Sequence, residues 1–80
     1  MSLTMLSVGE KAEVLRINGD SKLKHHLTEL GFIIGRSVKV TQRTFGSNLI
    51  VALEGARMAL DRKVAHQIQI TLEGVKAAKF

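Results

Sequence analysis

The sequence predicts a mainly β fold, a small barrel of about five short strands with one short α-helix near residues 21–30 and a short helical turn near 61–66. Three observations lead there. The seven glycines, in a chain with no proline, are the only strong punctuation, and they cut the 80 residues into short segments. Several of those segments alternate apolar and polar residues with the period of a strand. Hydrophobic residues make up 45% of the chain but include only three Phe and no Tyr or Trp, so the interior is aliphatic. That favours a thin, compact barrel or sandwich.

In order, the segment 11–18 carries Val14, Leu15 and Ile17 among charged residues, an imperfect alternation that suits a bent or bulged first strand. Gly19-Asp20-Ser21 reads as a turn into a helix, because Asp20 or Ser21 can accept a hydrogen bond from the unpaired amides of the first turn. Leu23, Leu27 and Leu30 at i, i+4 and i+7 form one apolar stripe. Gly31 stops the helix in a left-handed conformation, with Phe32 packing back behind it. After Gly35, Val38 and Val40 alternate with polar neighbours in a strand with one buried face. Phe45-Gly46-Ser47-Asn48 is a hairpin connection into residues 49–53, whose nearly continuous apolar character predicts burial on both sides. Glu54-Gly55 turns the chain into the strand 57–60. Asp61 caps one helical or 3₁₀ turn with Val64 and Ala65 facing inward, and Ile68, Ile70 and Leu72 alternate as a closing strand. The expected barrel is partly open and closes by pairing its ends. One domain over residues 1–80 is expected, with its core at about 6–72 and a frayed tail at 74–80.

A chain this short hides only about 60–70% of its unfolded surface, which leaves no room for a deep catalytic cleft. Cysteine is absent, so neither disulfides nor thiolate metal sites are available, and the cytoplasm is the natural compartment. The first residues show no basic patch leading into an apolar run, and no stretch approaches the ~20 apolar residues that span a bilayer. Neither export nor membrane insertion is expected. The net charge of +5 is unevenly placed. Residues 1–33 balance, whereas residues 34–63 set Arg36, Lys39, Arg43, Arg57, Arg62 and Lys63 against Glu54 and Asp61 alone. That half can face nucleic acid, an acidic protein surface or anionic headgroups, or simply be solvated.

Motifs that carry chemistry are scarce. There is no glycine-rich phosphate loop and no Cys nucleophile, and every Ser lies in a turn-like or terminal context where capping explains it, so an enzyme is not expected. His25 and His26 are adjacent on the helix, point about 100° apart and cannot chelate one ion together. His25 with Glu29 is the better-spaced pair. It gives half a transition-metal site, and without two further ligands from His66 or Asp61 a surface contact accounts for it better. Nucleic-acid binding by the basic residues lacks the aromatic platforms that single-strand binders present, since Phe32 and Phe45 sit where packing or loop anchoring uses them.

The ordered set Leu27-Thr28-Glu29-Leu30-Gly31-Phe32, then Gly35, Val38 and Val40, then Arg43, Gly46, Ile50-Val51, Gly55, Ala59-Leu60, Ala65 and Ile68 resembles the FeoA family. The likeness runs from about residue 6 to 72. Two departures stand out: the basic residues common before the Leu-x-x-Leu-Gly segment are here Lys24, His25 and His26, and Asn48-Leu49 replaces the proline common in the glycine hairpin. The resemblance implies an SH3-like barrel that assists a membrane-embedded GTPase transporter of ferrous iron from the cytoplasmic side, with no catalysis, cofactor or firm metal site of its own. Similar barrels also end metal-dependent transcription repressors. On charge and loop placement, the docking residues are expected to be Arg43, Phe45, Gly46 and Asn48 of the hairpin, and Arg57. The competing readings are a nucleic-acid-binding barrel and direct ferrous-ion binding through His25, Glu29 or His66.

Overall fold

Glycine-bounded segments become the elements that their alternation calls for. The structure, a computed structural model, describes residues 1–44, 46 and 48–72. After a 3₁₀ turn at Leu3–Met5 come β1 (Lys11–Ile17), α1 (Ser21–Leu30), β2 (Ser37–Arg43), β3 (Asn48–Leu53), β4 (Ala56–Asp61), α2 (Arg62–His66) and β5 (Ile68–Leu72). The strands form one antiparallel sheet in the order β4-β3-β2-β1-β5.

Helix α1 starts and stops by local chemistry. The Asp20 carboxylate accepts from the Leu23 amide at 2.8 Å. At the other end Gly31, at φ +113°, reverses the chain. The Gly31 amide then donates to Thr28 O and the Phe32 amide to Leu27 O, both at 3.0 Å, the paired bonds of a Schellman motif. This turn drives Phe32 into the core, where it is fully buried. The apolar stripe is only partly inside: Leu27 is buried and Leu23 packs against the core, but Leu30 is 38% exposed.

One face of each strand builds the interior, with Ala12 and Val14, Val38 and Val40, Leu49 and Val51, and Ile68 and Ile70 as its layers. The expected bulge in β1 is present, the register slipping between Val14 and Arg16. It puts Leu15 on the outside, half exposed. Residues 49–53 are not buried on both sides as their composition predicts. Ile50 and Ala52 are half-buried, because β3 has a covered inner face and only neighbouring side chains on the outer one. Asp61 caps α2 as expected, accepting from the Lys63 amide at 2.6 Å, with Ala65 buried beneath.

The closure differs from the sequence expectation. Among the described residues β4 and β5, the two edges, do not pair; α2 bridges them, in contact with β3, β4, β5 and the 3₁₀ turn. A one-turn helix between two strands swings them apart at the seam, and side chains fill the gap. The N-terminal residues complete the job. Leu3 and Leu6 are fully buried, so the core reaches earlier than residue 6, and the Ile70 amide donates to Met1 O at 2.7 Å, covering the β5 edge. The expected tail at 74–80 and Phe45 lie outside the described residues.

Candidate functional site

Arg43 ends β2, and a second bulge decides where it points. The β2–β3 register passes from Val40↔Val51 to Gln42↔Ile50, which makes Thr41 the extra residue. Arg43 therefore stands opposite buried Leu49, at the mouth of the barrel. Its guanidinium donates to Thr4 O at 2.9 Å and to Leu6 O at 2.6 Å, tying the N-terminal segment to the sheet. The cation expected to meet a partner is already engaged within the fold.

Gly46 and Asn48 lie beside it. Asn48 O accepts from both the amide (3.2 Å) and the hydroxyl (3.3 Å) of Thr44, which closes the hairpin, and Arg62 of α2 joins Arg43 and Asn48 around a small depression. Arg57 is elsewhere. It sits beyond the Glu54-Gly55 turn at the other end of β3, so the expected docking set does not form one surface.

Arg57 belongs instead to a row that runs across the outer face of the sheet. Lys11 pairs with Lys39, Lys39 with Ala52, and Ala52 with Arg57. Directly opposed like charges such as Lys11 and Lys39 destabilise a sheet by a few tenths of a kcal/mol or more. No salt bridge to Lys11, Lys39 or Arg57 offsets this among the described residues. Arg36 joins Lys11 and Lys39 around a groove whose single carboxylate is Glu54. Sequence reasoning missed this row because Lys11 lies in the charge-balanced part of the chain and only strand register brings it to Lys39.

The metal candidates divide in two. His25 Nε2 and Glu29 Oε2 are 3.4 Å apart on α1, both largely exposed. His66 is on α2 beside Arg62 and Lys63, whose charges oppose a bound cation. Among the described residues no three His, Asp or Glu side chains gather around one point, and Asp61 serves as the α2 cap.

Comparison with known proteins follows the same outline. No curated protein matches the chain. Among solved structures, the FeoA protein of Chlorobium tepidum superimposes with a TM-score of 0.84 at 25% identity, covering 92% of this chain and 71% of its own. The Stenotrophomonas maltophilia FeoA, a prokaryotic SH3 domain protein solved with zinc, gives 0.77 at 25% identity, covering 88% of each chain. A manganese-dependent transcriptional repressor shares the fold alone, at 0.82 and 22% identity, with 90% of this chain matching 41% of the repressor. The family model for the FeoA domain matches residues 1–72. The barrel, with five strands and one longer helix among the described residues, is thus SH3-like, and the chain belongs to the FeoA family.

Proposed function

We propose that this chain is an accessory protein of ferrous iron transport, with no catalysis of its own, that acts by contact with the cytoplasmic GTPase region of a membrane-embedded iron transporter. The FeoA-domain match over residues 1–72 carries the reading. Its similarity to the Stenotrophomonas protein, for which a role as a ferrous iron transport activating factor has been put forward, supports it. Among the described residues no helix is long and apolar enough to cross a membrane. The row of cations on the outer sheet face, free of salt bridges among the described residues, supplies long-range attraction for an acidic surface and a fast, salt-sensitive encounter.

The test is a titration of isotope-labelled protein with the soluble GTPase domain of the cognate transporter at low and high salt. Amide shifts near Lys11, Lys39 and Arg57 that weaken at high salt are expected; silence at both salts would sink the reading. Nucleic acid is the second reading, favoured by the same row. The one Phe, Tyr or Trp ring among the described residues, Phe32, is buried and offers no stacking platform, so this reading predicts only sequence-blind, steeply salt-dependent affinity for oligonucleotides.

A further inference from the structure

The turn between α1 and β2 presents apolar side chains where polar ones are the rule. Ile33 and Ile34 occupy its first two positions and are 41% and 70% exposed. Turns of this kind favour Gly, Pro, Asn, Asp and Ser. The turn is rigid. The Arg36 amide donates to Ile33 O at 2.9 Å and Gly35 takes φ +91°, the geometry of a type II turn. Two further backbone bonds clamp it to β1, from the Gly35 amide to Val14 O (2.8 Å) and from the Val14 amide to Arg36 O (3.0 Å). The core is complete without either isoleucine, so packing does not account for holding them in water.

Beneath the turn lies a slot whose apolar lining is Ile17, Phe32, Ile33 and Ile34 and whose charged residues are Arg16 and Lys24. No carboxylate lines it, and no salt bridge among the described residues engages either cation. The same turn continues through Gly35 and Arg36 into the groove of Lys11 and Lys39. A preorganised apolar floor with a cationic rim, running on into a basic groove, has the layout of a protein interface: an apolar centre and a charged border.

We infer that this slot is the anchor point for an acidic, amphipathic segment of the protein partner. An apolar side chain of that segment packs on Ile17, Ile33 and Ile34 above the buried Phe32, and its flanking carboxylates meet Arg16 and Lys24. The inference rests on the protein-contact reading above and names the surface that reading lacks. Charge complementarity selects an acidic segment, and the apolar floor without an exposed aromatic disfavours a nucleic acid.

The experiment follows the Ile methyl resonances of the 80-residue protein. Three additions are compared: the soluble GTPase domain, a helical peptide with a Leu stripe flanked by Glu, and the same peptide with Lys for Glu. Shifts at the Ile17, Ile33 and Ile34 methyls are expected with the first two and none with the third. Ile34→Asp should weaken binding about tenfold or more, while Lys24→Glu should weaken it a few-fold and reduce its salt dependence. Both residues are exposed, and an unchanged urea midpoint confirms that each variant folds. GTPase binding that shifts other methyls, or that survives Ile34→Asp unchanged, overturns the assignment. So does equal response to the acidic and basic peptides, or dilution-dependent shifts of these methyls, which would assign the slot to a second copy of the chain. Silence with the GTPase but a response to the acidic peptide keeps the slot and removes the accessory reading. Silence with both removes both.

Discussion

Arg43 carries surface charge and also works inside the fold, at the end of β2. Its guanidinium bonds to Thr4 O and Leu6 O are charge-assisted and short, and the N-terminal segment they hold carries two buried leucines. Hydrogen bonds to charged groups contribute about 1.5–3 kcal/mol, less where water competes, so Arg43→Ala is expected to lower stability by about 1–2 kcal/mol. Arg57→Ala, which removes only an exposed member of the basic row, should stay within about 0.5 kcal/mol of the parent. Urea unfolding of the two variants measures both. Equal costs would mean that the Arg43 bonds contribute nothing beyond an ordinary surface arginine. For binding the order should reverse, because Arg57 lies in the row offered to a partner and Arg43 does not. Charge was legible at both positions; the bulge that aims Arg43 at the N-terminal carbonyls was not, since it depends on how β2 counts against β3.

Helix α1 was the most legible element, because its start and stop depend on residues only a few positions apart. Asp20 and Gly31 did what their chemistry predicts. Gly31 carries two constraints at once: φ is +113°, and an added Cβ would lie 3.1 Å from Leu53 Cδ1. A left-handed conformation costs an L-residue about 1–2 kcal/mol, and the close contact adds to it, so Gly31→Ala is expected to cost about 1–3 kcal/mol by urea unfolding. A neutral outcome would mean that the turn relaxes and that Phe32 is not held by the cap. What the stripe did not reveal was its depth. Leu30 has the spacing of a core residue but sits at the rim, because a short helix on the end of a small barrel buries the centre of its stripe and not the extremities.

For the whole molecule the decisive feature is the seam between β4 and β5. It is closed by α2, the 3₁₀ turn and residues that reach the β5 edge, so the N-terminal segment belongs to the barrel. Leu3 is fully buried, and truncating a buried leucine to alanine costs about 2–5 kcal/mol. A chain of this size has only about 4–12 kcal/mol of stability in total. Leu3→Ala should therefore lower the urea midpoint sharply and hasten hydrogen exchange at the Ile70 amide. A midpoint close to the parent's would show the segment to be dispensable. The basic row and the apolar slot also exist only at this scale, since both combine side chains from β1 with others contributed after α1.

The sequence by itself determined the fold class, the helix and its caps, the strand periodicities, the uneven charge and the likeness to the FeoA family. Each of these depends on neighbours within a few residues, or on an ordered pattern that survives without coordinates. Only the tertiary structure decided which cations share a face, which end of the barrel Arg43 closes, and which apolar residues stay in water. Strand register has a period of two, so one bulged residue sends every later side chain of that strand to the opposite face. The sequence announces such a slip only faintly, at Val14-Leu15-Arg16, and not at all at Thr41.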